Sequence, residues 1–123
     1  MKNRAVILFA HGSRDPLWRL PMEAVAAQVA ATDPLVQVAC AYLELTEPDL
    51  PSTARQLVAR GAQQLTVVPM FLGIGKHVRE DLPVLMEGLR QQHPGVTIVL
   101  QPAIGENPEL VALLAKIALQ PVL

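Results

Sequence analysis

Short apolar runs alternate along the chain with segments in which apolar residues return at helical spacing. Residues 5–10 form an unbroken apolar stretch, as expected of a strand covered on both faces. The polar turn His11-Gly12-Ser13-Arg14-Asp15-Pro16 follows it. Met22, Val25, Ala26 and Val29 then recur with the period of a helix, and Pro21 fits only in its first turn. Residues 36–43 read as a second strand. Thr46-Glu47-Pro48-Asp49 has capping-box spacing with Asp in the distal place, which predicts a helix start at Thr46. Leu50, Ala54, Leu57 and Val58 form the stripe of that helix, and Gly61 suits the position just past its end. Residues 65–70 predict a third strand, followed by the loop 71–77. Leu82, Leu85, Met86 and Leu89 mark a third helix that stops before His93-Pro94-Gly95, and residues 96–100 a fourth strand. Asn107 caps a last helix, with Pro108 at its first position and Leu110, Leu113, Leu114 and Ile117 as its stripe.

The order βαβαβαβα predicts an α/β fold: one doubly wound domain over residues 1–123, with a mainly parallel four-stranded sheet and helices on both faces. A length of 123 residues suits one domain. Apolar residues at 51% supply a core, and aromatics at 3% leave aliphatic side chains to fill it. Ten Lys and Arg against 11 Asp and Glu give a net charge of -1, which offers no basic excess for nucleic acid. The apolar start is too short to span a bilayer and meets a polar turn, so neither a membrane span nor a signal peptide is expected. The single cysteine, Cys40, forms no internal disulfide and fits a cytoplasmic location.

Open α/β sheets bind ligands beyond the carboxyl ends of their strands, where strand order reverses. His11 follows the first predicted strand, Glu44 the second and His77 the third. A strand order of 2-1-3-4 makes those ends neighbours, so that two imidazoles and a carboxylate gather in one region. Such a set suits a borderline divalent ion such as Co²⁺, Ni²⁺, Fe²⁺ or Zn²⁺.

Each residue also has a plain structural reading. A strand-end histidine commonly bonds to a turn backbone, and Glu44 could be a solvated loop acid. His93 reads as structural within His-Pro-Gly, and Cys40 as a core residue. Gly12-Ser13-Arg14 opens a strand-to-helix turn whose N–H groups could hold an anion, without P-loop or dinucleotide glycine spacing. Gly73 and Gly75 permit left-handed backbone and close approach to a ligand. Arg14, Lys76 and Arg79 could meet acidic groups of a ligand. Phe71 and Trp18 could stack on a flat ring, with a core or interface role equally open for Trp18.

Three stretches, Ala10-His11-Gly12-Ser13-Arg14-Asp15-Pro16, Tyr42-Leu43-Glu44, and the segment from Val68-Pro69-Met70-Phe71 through Gly73-Ile74-Gly75-Lys76-His77 to Asp81-Leu82-Pro83, together resemble the sirohydrochlorin chelatase family. More narrowly, the chain resembles its short, single-domain cobaltochelatase-like form, the small CbiX type. The resemblance implies a chelatase-like fold and ATP-independent insertion of a divalent metal into sirohydrochlorin, with Co²⁺ first and Fe²⁺ or Ni²⁺ as alternatives. It implies His11 and His77 as metal-binding and catalytic residues, Glu44 as an acidic helper, and Ser13, Arg14, Phe71, Gly75 and Lys76 near the substrate. The metal would be a substrate, with no tightly bound cofactor, and the product would serve cobalamin or sirohaem synthesis. Two copies are expected to pair as a homodimer, because one small domain offers only one wall to a large flat ring. The competing readings are a non-catalytic metal or tetrapyrrole carrier using the same histidines, an anion-site lyase or phosphatase with Ser13 as a poor nucleophile, and a structural partner of another subunit.

Overall fold

The computed structural model describes residues 3–122. Strands β1 (Arg4–Ala10), β2 (Gln37–Tyr42), β3 (Gln64–Pro69) and β4 (Thr97–Leu100) form one sheet. Its order is β2-β1-β3-β4, and every pairing is parallel. The connecting helices are α1 (Leu20–Thr32), α2 (Leu50–Ala59) and α3 (Lys76–Gln92), with α4 (Pro108–Ala118) after β4. The predicted strand order and the α/β architecture are both present.

Side chains alternate across a strand, so β1 serves two cores. Ala5, Ile7 and Phe9 pack with Leu65 and Val67 of β3 beneath Leu50, Ala54 and Leu57 of α2 and Leu82, Met86 and Leu89 of α3. On the opposite face, Leu8 and Ala10 meet Met22 and Ala26 of α1, with Val38 and Cys40 of β2. Among the described residues, fourteen buried ones make up the first core and four the second, so most of the hydrophobic stabilisation lies on the α2–α3 face. The expectation of a buried stripe on the last helix is not met. No residue of α4 is buried, and the helix leans chiefly on the 3₁₀ turn Ile104–Glu106 that leads into it.

Local chemistry moves two predicted boundaries. Helix α2 begins at Asp49 and not at Thr46: the Asp49 carboxylate accepts the Ser52 N–H at 2.8 Å, and Pro51 lies in the first turn. Helix α3 starts at the N-cap Gly75, so Lys76 and His77 occupy its first turn and not a loop. Gly61 follows α2 in left-handed backbone, φ 97°, as its position predicted.

Two close approaches fix the loops beyond the strand ends. The β1–β2 ladder runs on past both strands, with the Leu43 N–H donating to the Ala10 carbonyl at 2.9 Å and the Glu44 N–H to the His11 carbonyl at 3.0 Å. Gly12 has φ 106°, and a Cβ there would lie 1.8 Å from the Glu44 carbonyl oxygen. The Gly105 N–H donates to the Phe71 carbonyl at 3.0 Å, and a Cβ on Gly105 would lie 1.7 Å from the Leu72 carbonyl oxygen. Only glycine fits either seat. Gly73 and Gly75 do not use the left-handed freedom expected of them; Gly75 has φ -74°.

Gly12→Ala and Gly105→Ala are each expected to cost about 2 kcal/mol or more in urea unfolding, whereas Gly73→Ala, which meets nothing within 4 Å, costs little. Equal midpoints for all three variants would contradict this. Hydrogen bonds from Ser52, side chain first and then backbone, hold the Asp49 carboxyl below its ordinary value. A carboxyl so lowered stabilises the fold above the ordinary carboxylate range, and that contribution is lost as pH falls through the lowered folded-state value. Asp49→Ala is therefore expected to cost about 1 kcal/mol at neutral pH, with the gap to the parent chain narrowing in acid. Identical stability at neutral pH would refute the cap.

Candidate functional site

β1 lies between β2 and β3, so the carboxyl ends of these three strands adjoin. Parallel strands sit about 4.8 Å apart, within reach of side chains on neighbouring ends. The ladder that continues from Ala10–Leu43 to His11–Glu44 brings the imidazole and the carboxylate side by side. His11 Nε2 stands 3.0 Å from Glu44 Oε1, and both side chains are about half exposed, at 51% and 55%. A carboxylate only accepts, so its partner nitrogen carries the proton and Nδ1 keeps a free lone pair when the ring is neutral. That lone pair can bind a metal ion or take a proton.

His77 is exposed in the first turn of α3. It does not join the pair in a ligand cage: among the described residues, no three His, Cys, Asp or Glu side chains stand together as a metal site. The expected gathering of three groups is met only in part: His11 and Glu44 pair, while His77 stands apart from them in the first turn of α3, because the chain runs on from β3 through residues 70–75 before the helix begins. His93 lies elsewhere, as the C-cap of α3 ahead of β4.

The residues expected near substrate fall around this rim in different states. Ser13 Oγ accepts the Asp15 N–H at 3.1 Å, and Asp15 in turn caps the 3₁₀ turn Pro16–Arg19, so Ser13 has a turn-forming role. Arg14 is exposed. Lys76 lies 4.0 Å from Glu80 on the surface of α3, an exposed pair of little energetic weight. Gly75 is the N-cap of that helix. Phe71 is half-buried, and its ring packs edge-on to Phe9 with centroids 6.2 Å apart. Trp18 leans against Tyr42 with centroids 6.1 Å apart.

One residue of this region was not legible beforehand. Leu45, next to Glu44, holds φ 66° with its side chain exposed. A branched residue in left-handed backbone is strained. The Glu44 backbone holds it there, accepting from Thr46 N–H at 2.8 Å while donating to His11. Nothing in the residue type signals this conformation.

Two hollows flank β2. One of about 310 Å³ is bordered by Glu44, Leu43, Asp49 and Gln56. Another of about 580 Å³ runs beside α1 and is lined by Arg19, Glu23, Cys40 and Tyr42. Neither is lined by His11 or His77. Burial pushes the Cys40 thiol up and the Tyr42 phenol up to about 12. A thiol held protonated is a poor metal ligand, in keeping with the reading of Cys40 as a packing residue.

The CbiX family profile matches residues 5–120. A sirohydrochlorin cobaltochelatase from Sulfolobus acidocaldarius is 28% identical over 109 residues, 89% of this chain and 85% of that protein. One from Methanococcus aeolicus is 32% identical over 82 residues, 67% of this chain, and the match spans 57% of that relative's length. Among solved structures, a cobalamin (vitamin B12) biosynthesis CbiX protein from Marinobacter aquaeolei VT8 superposes with TM-score 0.80 at 37% identity, covering 94% of this chain and 93% of that one. The sirohydrochlorin chelatase SirB from Bacillus subtilis in complex with cobalt gives TM-score 0.78 at 26% identity, over 94% of this chain and 49% of its own. With its parallel sheet in the order 2-1-3-4 and a profile match along nearly its whole length, the chain belongs to the CbiX family.

Proposed function

We propose that this chain inserts a divalent metal ion into sirohydrochlorin without ATP. The observation that carries the reading is the His11–Glu44 pair at the carboxyl rim of the sheet, in a chain of the CbiX family. Relatives named sirohydrochlorin cobaltochelatase and a cobalt complex of SirB support Co²⁺ as the first metal, with Fe²⁺ or Ni²⁺ as alternatives; SirB from Bacillus subtilis is also known with Fe³⁺. Affinity in an imidazole and carboxylate site rises toward Cu²⁺, so the choice of metal also depends on supply.

Metal insertion requires two pyrrole N–H protons to leave and the ion to shed water. In this reading, Glu44 fixes His11 with Nδ1 directed to receive a proton or hold the ion. His77 offers a second imidazole from the first turn of α3. A closed four-ligand cage would hold the ion, so two histidines with at most one carboxylate suit a donor that must release its metal to the macrocycle. In the same reading, the exposed Arg14 and Lys76 would meet ring carboxylates, with Ser13, Phe71 and Gly75 beside the substrate. The ion is substrate, and no resident cofactor enters the chemistry. No helix among the described residues is long and apolar enough to cross a membrane, and we assign the activity to the cytoplasm.

We infer further that two copies share one substrate. The His11–Glu44 pair is half exposed on one wall, and SirB, of which this chain matches 49%, is about twice as long. A two-fold pair of short chains would supply the second wall.

Anaerobic absorbance with sirohydrochlorin and Co²⁺, Fe²⁺ or Ni²⁺ offered separately tests the reaction. Repeated turnover is expected, whereas a carrier stops at one equivalent bound. His11→Ala and His77→Ala should each slow insertion about 100-fold or more while leaving the fold intact. Wild-type rates in both variants would remove the histidines from the mechanism.

A further inference from the structure

We infer that Leu45 is a substrate-contact residue, whose exposed side chain carries the flat apolar face of the tetrapyrrole and sets it beside the His11–Glu44 pair. The inference rests on the chelatase reading above and adds a residue to its binding surface. Leu45 holds φ 66°, and among the described residues no other residue besides glycine has a positive φ. The Thr46 N–H donates to the Glu44 carbonyl at 2.8 Å, which closes a three-residue γ-turn with Leu45 at its centre. That form of the turn is rare and strained. Glycine or asparagine would adopt the backbone readily, and leucine does not.

The side chain does not offset this strain by packing. It is 51% exposed and belongs to neither hydrophobic core. Its neighbours Glu44 and Thr46 both border the hollow beside β2, and Leu45 does not. Exposed leucines elsewhere carry no such strain: Leu35, ahead of β2 at the far end of the sheet, is 81% exposed with ordinary backbone. A strained, uncovered leucine one position from the candidate catalytic pair is accounted for by a ligand that covers it. Adjacent Cα atoms lie about 3.8 Å apart, so a ring resting on Leu45 is within reach of Glu44. An isobutyl group has no donor atom for a metal ion. It serves the ring face, while the imidazole and carboxylate serve the ion and the pyrrole protons.

Absorbance titration of the full chain with metal-free sirohydrochlorin, together with urea unfolding, tests this. Leu45→Asn and Leu45→Gly should each weaken ring binding about fivefold or more. KM for cobalt insertion should rise by a similar factor, with kcat held within about twofold. The urea midpoints of both variants should stay at or above the parent's, because the strain is gone. Leu45→Met keeps the apolar reach and should bind within about twofold of the parent, and Leu35→Asn should leave binding unchanged. A leucine with only a structural role does not lose binding while stability holds or rises. Parent-like binding in L45N and L45G overturns the inference, and so do midpoints below the parent's, since the leucine then serves the fold. A parent chain that neither binds nor metallates sirohydrochlorin overturns the chelatase reading, and this inference with it.

Discussion

The structure depends on the parallel ladder between β1 and its two neighbours. Parallel pairing sets all strand ends of one sense on the same rim, and β1 in the middle makes its end adjacent to two others. The ladder does not stop where the strands do: two further backbone hydrogen bonds, to the carbonyls of Ala10 and His11, carry the register into the turn. That extension converts sequence positions 11 and 44 into a side-chain pair 3.0 Å apart. It also presses the Glu44 carbonyl onto Gly12, which explains a glycine there better than anion binding does. The candidate rim and the seat that only a glycine at position 12 fits are one feature.

A second clamp, between Gly105 and the Phe71–Leu72 backbone, ties the loop ahead of His77 to the segment that launches α4. The histidine on the third strand's rim is thus tethered from the C-terminal side, while His11 is tethered through β2. The two imidazoles answer to different supports.

Much of this was legible in the sequence because hydrophobic periodicity reports burial directly. Unbroken apolar runs marked buried parallel strands, and the stripes of α2 and α3 appear in the main core residue for residue. The same signal misled at α4, whose apolar stripe is left exposed because the helix leans on the turn that leads into it and not on the sheet. Helix starts were less legible. Thr46 and Asp49 are both capping residues, and only the 2.8 Å bond to Ser52 decides for Asp49. The rim was readable as a set of strand-end residues, but its geometry was not. The left-handed Leu45 and the seating of Gly12 arise from contacts between segments over thirty positions apart, which no local pattern encodes.

The central claim is that the strand register makes His11 and Glu44 one working unit. A double-mutant cycle on kcat/KM for cobalt insertion, using His11→Ala, Glu44→Gln and both together, addresses it directly. If the unit is real, Glu44→Gln costs rate in the parent chain and less than about twofold once His11 is gone, because a carboxylate that acts through an imidazole has nothing left to orient. If the two losses multiply in full, the residues act independently and their 3.0 Å contact is not what the reaction uses.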